Sequence, residues 1–302
     1  MRIPFVTCDV FTSRPFAGNP LLVVSDARGL SKDQMQAIAR EINFSESTFV
    51  FPPDDPAHTY RQRTFVPFKE IPYAGHPTVG TAFVMSWLGK LPDRASRITV
   101  EVGFGPLRLD LFRQSDGTVE RVRMEQGAPS PGLPVTDHEA LGRIAAANGL
   151  PDTGAFSVSL PVQTVSTGNR ALIVPLSSVD LLTGAAADAG LLTTVEKEHD
   201  ALIVYLVAPS PAGGARIRAR AFCTGAGVPE DPATGSAAGP LGIYLALHRA
   251  LPAGSPRFVV EQGIEMGRPS EIEVEVEGLP GAPTAVKVAG SAVRMMEGTI
   301  EV

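Results

Sequence analysis

Cysteine is nearly absent from this chain: two thiols, Cys8 and Cys223, in 302 residues. Two thiols so far apart make no disulfide framework, and a reducing compartment is expected. Basic clusters are missing too. The formal charge is −6 and no Lys/Arg run stands out, so neither a nucleic acid nor an anionic membrane surface is an expected partner. The N-terminal segment lacks the apolar stretch of a secretory signal. The most apolar stretches, 81–88 and 237–247, fall short of the ~20 residues a membrane helix needs, and a cytoplasmic location is expected. The five histidines (58, 76, 138, 199 and 248) form no HExxH and no close pair, so no metal site is expected. No P-loop, no GxGxxG opening a βαβ unit and no GxSxG elbow occurs, which argues against nucleotide, nicotinamide and serine-hydrolase chemistry; no cofactor is expected.

What is present is apolar content and turns. Hydrophobic residues make up 44% of the chain, enough for a substantial core, and 30 glycines with 27 prolines punctuate it. Apolar runs at 5–11, 21–24, 48–51, 98–102, 107–112 and 119–124 read as strands, as do 171–175, 201–207, 216–222, 258–261, 271–276 and 292–302. Four helices are expected. Ser31-Lys-Asp-Gln34 is a capping box ahead of Met35, Ile38, Ala39 and Ile42 at helical spacing. Thr136-Asp-His-Glu139 is a second box, leading into Leu141, Ile144 and Ala145. Two more follow Gly-rich turns, at about 77–88 and 236–248, the latter with Leu241, Tyr244, Leu245 and His248 on one face and Pro240 tolerated in or near the first turn. The pattern is strand-dominated α+β.

The chain also repeats itself. Arg63-x-Phe65 precedes Glu70 and then Ala-Gly75-His-Pro-Thr-Val-Gly80; Arg220-x-Phe222 precedes Glu230-Asp231 and then Ala-Thr-Gly235-Ser-Ala-Ala-Gly239. Two similar halves imply a pseudo-symmetric pair of domains with a cleft between them, divided in the turn-rich 127–134 segment. Each Gly-rich turn opens a helix, whose unpaired N–H groups and partial positive charge suit a carboxylate; equally, glycine is the default residue of any tight strand-to-helix turn. Glu46, in Asn43-Phe-Ser-Glu46-Ser-Thr48, sits between the first capped helix and a strand. Such a carboxylate is commonly solvated, and proton chemistry would require its burial. His76 and Asp231 occupy equivalent neighbourhoods of the two turns, and Asn19 lies in Phe16-Ala-Gly18-Asn19-Pro20, where a turn former is also at home.

Taken together, Asp9-Val-Phe-Thr12, Pro15-Phe-Ala-Gly-Asn-Pro20, Asn43-Phe-Ser-Glu-Ser-Thr48, Gly75-His-Pro-Thr78 and Glu230-Asp-Pro-Ala-Thr-Gly-Ser236 closely resemble the signature blocks of the PhzF (phenazine-biosynthesis) family. Glu261-Gln-Gly263 with Gly267-Arg-Pro-Ser270, and Val288-Ala-Gly290, extend the resemblance over nearly the whole chain. It implies two pseudo-symmetric domains like those of diaminopimelate epimerase, each a curled β-sheet or barrel around a central helix, with the active site between them, and a homodimer. The boundaries expected are 1–128, completed by a C-terminal strand at about 285–302, and 129–284. By match to the motifs, the resemblance makes Glu46 the acid/base, with His76 and Asp231 as polar partners that orient substrate and assist proton movement. Ser45, Gly75, Gly235 and Ser236 would hold the substrate, and Asn19 would line the cleft. The epimerase relatives place a cysteine immediately before each Gly-rich turn; here those positions are Ala74 and Thr234, which disfavours two-thiol chemistry. The family's best-understood reaction is isomerisation of trans-2,3-dihydro-3-hydroxyanthranilate. Three activities remain in play: a single-glutamate isomerase of a small cyclic carboxylic acid, a non-catalytic binder of small carboxylates, and a cofactor-independent racemase or epimerase with a second base such as Asp231.

Overall fold

The computed structural model describes residues 1–72 and 75–302; the reading of Ala74 falls outside them. The chain forms two units, Met1–Glu125 with Ala289–Val302, and Gln126–Val288.

In the first unit, β1 (Arg2–Val10), β2 (Asn19–Val24), α1 (Lys32–Ile42), β3 (Glu46–Phe51), β4 (Tyr60–Phe65), β5 (Glu70–Ile71), α2 (Gly75–Trp87), β6 (Arg97–Val102), β7 (Gly105–Arg113) and β8 (Val119–Glu125) are joined by the last strand of the chain, β18 (Ala292–Glu301). The sheet runs β18–β1–β2–β3–β4–β6–β7–β8, antiparallel except at β2–β3 and β4–β6. It curls around α2, which packs on β1, β2, β3, β8 and β18 and is buried from Gly75 to Met85. A helix with apolar residues all round has no solvent face to offer and belongs at the centre of a core. Close approach is enforced at Gly80, where a Cβ would come within 2.6 Å of both Leu21 and Val10 side chains. The outer face of the sheet is covered by α1. Its capping box is present as expected, Met35, Ile38 and Ala39 point inward, and Asn43 at φ 54° ends it in the left-handed conformation that short polar side chains tolerate. Strand β2 is therefore covered on both faces, and Leu21, Leu22, Val23 and Val24 are fully buried. Each such side chain contributes about 1.5–3 kcal/mol relative to exposure.

The second unit holds β9 (Ser130–Pro134), α3 (His138–Ala147), β10 (Gln163–Ser166), β11 (Arg170–Pro175), α4 (Val179–Gly184), α5 (Ala189–Glu198), β12 (Ile203–Pro209), β13 (Arg216–Cys223), β14 (Val228–Asp231), α6 (Gly235–Leu247), β15 (Arg257–Gln262), β16 (Ser270–Leu279) and most of β17 (Ala282–Gly290). The order β9–β10–β11–β12–β13–β15–β16 again contains two parallel joints, β11–β12 and β13–β15, at places equivalent to those of the first unit. Central helix α6 is buried from Gly235 to Ala246, and at Gly242 a Cβ would meet Val274, Val276 and Val286. On the outer face α3, α4 and α5 bury Ile144, Leu182, Leu192 and Val195 against Leu172, Val174, Val204 and Leu206.

The duplicated sequence thus corresponds to a duplicated structure. Arg63 forks onto Glu70 at 2.6 and 2.8 Å across β4–β5, and Arg220 forks onto Glu230 at 2.8 and 2.9 Å across β13–β14. In each unit the guanidinium also lies over the ring two residues on, Phe65 or Phe222. Bidentate pairing fixes the short strand that delivers the chain to its central helix.

Several local expectations are corrected. Pro240 is the sixth residue of α6, beyond its first turn, so the Ser236 carbonyl lacks the amide donor that a helix would normally supply. His248 caps α6 rather than lying along its face. The first residue of α3 follows Asp137, whose side chain, not that of Thr136, accepts from the Glu139 amide. Helices α4 and α5 were not anticipated, although Ser178 and Asp188 cap them by accepting from the amides of Leu181 and Leu191. Strands β4, β5, β9, β10 and β14 lie outside the expected runs, and the strand expected at about 285–302 is two, β17 and β18. In β4 the buried positions Tyr60, Gln62 and Thr64 are polar or amphipathic, so no apolar alternation marks the strand.

Candidate functional site

The first unit gathers four of the expected site residues into two bonded pairs. Strand β3 begins at Glu46, not after it, pairing in parallel with β2 at Leu21. Period-two geometry places Glu46, Thr48 and Val50 on the face toward α2. Thr48 meets Thr81 of α2 in a buried hydroxyl–hydroxyl bond of 2.8 Å, and one turn earlier on that helix His76 reaches Glu46. His76 Nδ1 lies 2.9 Å from Glu46 Oε2, with the imidazole 3% and the carboxylate side chain 17% exposed. A proton on Nδ1 lets the imidazole donate to the carboxylate. Nε2 of His76 is buried and has no hydrogen-bond partner among the described residues. Gly75 and His76 open the helix, so the pair stands at its positive end.

Asn19, fully buried at the start of β2, accepts a 2.9 Å hydrogen bond at Oδ1 from the hydroxyl of Ser45. The tie holds the Phe44–Ser45 connection against β2 immediately before Glu46. The loop leading into Asn19 passes twice through the left-handed region, with strain at Phe16 (φ 62°) and without it at Gly18 (φ 64°). A Cβ at Gly18 would lie 2.2 Å from the Val10 carbonyl.

The second unit places Asp231, Gly235 and Ser236 together at the start of α6. Asp231 ends β14 and is 7% exposed; its Oδ2 accepts a 2.6 Å hydrogen bond from the Thr234 hydroxyl. The Thr234 carbonyl receives the amides of Ala237 and Ala238, so the amides of Gly235 and Ser236 lie ahead of the helical ladder. Gln262, in β15, was quoted in the sequence only as part of a motif, yet it bonds both Thr234 and the Asp231 carbonyl. Gln126 is another missed contributor. Its Nε2 donates to the Gly235 carbonyl at 2.8 Å and its Oε1 accepts from Thr167 at 2.5 Å. A Cβ at Gly239 would fall 1.9 Å from that Oε1, so the glycine makes room for the amide.

Cys8 is buried in β1 facing α2, where burial, and secondarily the neighbouring Asp9 charge, pushes its pKa well above the ordinary range. A thiol held protonated is no base. A cavity of about 300 Å³ is lined by Lys32, Gln62, Arg63, Glu70 and Gly103 and includes none of the expected site residues.

Residues 8–298 match the family described as "PhzC-PhzF: Phenazine biosynthesis-like protein". The chain is 38% identical to the trans-2,3-dihydro-3-hydroxyanthranilate isomerase of Pseudomonas fluorescens over 98% of each sequence. Among solved structures it resembles the Bacillus anthracis phenazine biosynthesis protein of the PhzF family, at TM-score 0.87 and 29% identity over 100% of both chains. A probable proline racemase from Agrobacterium radiobacter shares the fold, at TM-score 0.68 and 12% identity over 99% of this chain and 93% of that one.

Proposed function

Because the chain belongs to the PhzC-PhzF family of phenazine biosynthesis-like proteins, we propose that it is an isomerase moving a proton between carbons of a small cyclic carboxylic acid of the trans-2,3-dihydro-3-hydroxyanthranilate type. The substrate class rests on the name of the Pseudomonas fluorescens relative, matched over almost its full length. The observation that carries the proton chemistry is the pairing of Glu46 with His76 at 2.9 Å on the inward face of β3.

In this reading the Glu46 carboxylate takes a proton from one ring carbon and returns it to another, so no net proton is gained or lost and one base suffices. The His76 Nδ1–H holds the carboxylate in place, and the buried Nε2 is the atom of that ring left to meet a substrate heteroatom. General acid–base help of this kind is worth about 10²–10⁴ in rate. In the second unit Gly235 and Ser236 present amides suited to a carboxylate and Asp231 orients a polar substituent; in the first, Asn19, Ser45 and Gly75 are the binding groups beside Glu46. Thr234 stands where the resemblance places a cysteine in the epimerases, and its hydroxyl donates to Asp231, which favours the isomerase over a two-thiol racemase.

The test is turnover of trans-2,3-dihydro-3-hydroxyanthranilate followed by its ultraviolet spectrum, wild type beside Glu46→Gln. Conversion by the wild type and a loss of at least ~10³-fold in the variant supports both substrate and base. Equal rates would remove Glu46 from the chemistry, and a silent wild type would remove this substrate class.

A further inference from the structure

The side-chain amide of Gln262 is fully buried, and all four of its hydrogen-bonding positions are used. Two partners are backbone groups whose polarity cannot change. The Thr234 amide lies 3.2 Å from Oε1, and the Asp231 carbonyl lies 2.6 Å from Nε2. Reversing the amide would set donor against donor and acceptor against acceptor, so its orientation is determined. The other two partners are hydroxyls, and they inherit their roles from it. Tyr205, 2.9 Å from Oε1, must donate. Thr234 Oγ1, 2.9 Å from Nε2, must accept. A threonine hydroxyl has one proton, and here it is directed at Asp231 Oδ2, 2.6 Å away.

We propose that Gln262 and Thr234, with Tyr205 behind them, form a one-way hydrogen-bond relay that positions Asp231 for catalysis and presents a donor to its Oδ2. The direction runs Tyr205 to Gln262, and Gln262 through Thr234 to the aspartate. A reversal at any link leaves a buried polar atom unsatisfied, which costs about 1–3 kcal/mol. The relay sets Asp231 as an acceptor at that oxygen. It also commits the Thr234 proton, so Thr234 is neither a base nor a donor toward substrate. The Gln262 end is itself anchored. Ser270 donates from one hydroxyl to the carbonyls of Pro232 (2.9 Å) and Gln262 (3.1 Å), and Gly263 at φ 74° turns where a Cβ would strike the Pro232 carbonyl at 2.5 Å. The proposal rests on the role for Asp231 given above, and Gln262, Thr234 and Tyr205 act through it as positioning residues.

The test compares Thr234→Val, which keeps shape and removes the hydroxyl, with Thr234→Ser, which keeps the hydroxyl, alongside Gln262→Met and Asp231→Asn. The relay predicts that Thr234→Val and Gln262→Met lower kcat by ~10²-fold with KM within about threefold, while Thr234→Ser recovers most of the loss. Thr234→Val folded to the wild-type melting temperature with undiminished kcat would overturn it. Asp231→Asn separates the premises: wild-type turnover there removes the role of Asp231 itself. Neutron diffraction of the unmodified protein reads the direction with no reference to activity. Deuterium on Thr234 Oγ1 aimed at Asp231, and on the Tyr205 hydroxyl aimed at Gln262, is the expected result; either one pointing the other way breaks the relay.

Discussion

Thr48 and Thr81 share a buried hydrogen bond of 2.8 Å that fastens β3 to α2, two residues after Glu46 on the strand and five after His76 on the helix. The Thr48 hydroxyl has a second neighbour, the Leu22 carbonyl, only at 3.4 Å. Thr81→Val keeps the volume but leaves the buried Thr48 hydroxyl only its long bond to Leu22, a cost of about 1 kcal/mol. Denaturant unfolding should show that loss. The alignment of Glu46 with His76 depends on the same two elements, so kcat should fall as well. A variant less stable but fully active would show that the pair is aligned without this bond.

Glycine at 80 and 239 is a requirement of space. Gly80→Ala would bring a methyl to 2.6 Å from Leu21 and Val10, and Gly239→Ala to 1.9 Å from Gln126 Oε1. The Gln126 amide is tied at both ends, to Thr167 and to the Gly235 carbonyl, so it does not swing aside freely. Both substitutions should destabilise by about 1–3 kcal/mol, readable as a lower melting temperature. Gly239→Ala should in addition weaken substrate binding by displacing Gly235. Full stability in either variant would contradict the close approach described.

Glu101 gives stability an acid limit. Burial raises its pKa, but this is outweighed by the amides of Asp54 and Asp55, each 2.8 Å away, and by His58, leaving it at about 2 instead of the ordinary 4.5. A carboxylate lowered on folding stabilises the folded form above its unfolded value, and that contribution disappears as pH falls from 4.5 toward 2. Glu101→Gln should therefore melt ~2–4 °C lower at pH 7. The gap should close progressively below pH 4.5, seen by thermal scans across the acid range. A gap independent of pH would mean that the charge on Glu101 plays no part.

Cys8, protonated and fully buried, should resist iodoacetamide at pH 8 in the folded protein and react on unfolding. Peptide mass spectrometry reads the labelling site by site, with turnover followed in parallel. Labelling of native Cys8 that tracks loss of activity would bring thiol chemistry back into consideration.

Much of this architecture was readable from residue pattern. The capped helix α1, the two Gly-rich turns and the long apolar strands each follow from local rules, and the Arg63…Glu70 and Arg220…Glu230 spacings reappear as matched bidentate pairs. What escaped has separate causes. Gln262 reaches Tyr205 across 57 positions and Thr234 across 28, and no local pattern marks a polar side chain whose partners are that distant. Strand β4 turns the polar side chains Gln62 and Thr64 inward, where they bond each other, so no apolar alternation signals it. Helix α4 is six residues long, too short for periodicity to show, and only its cap at Ser178 signals it. Glu46 and His76 could be named from motifs, but their 2.9 Å contact needed the register of β3 on β2.

The pairing of β1 with β18 joins Arg2 to Glu301 and Val10 to Ala292. During synthesis, the first strand leaves the ribosome with its final neighbour still uncoded in peptide. At ~5–20 residues per second, roughly 15–60 s separate the two. Gln126–Val288 is complete before that strand arrives, so the later-made unit has all its segments first and the earlier-made one must wait for residues 289–302. Throughout that interval one border of β1 is an unpaired template on which a neighbouring nascent chain can dock. Truncation near the carboxyl terminus therefore strikes the amino-terminal unit, the one that carries Glu46.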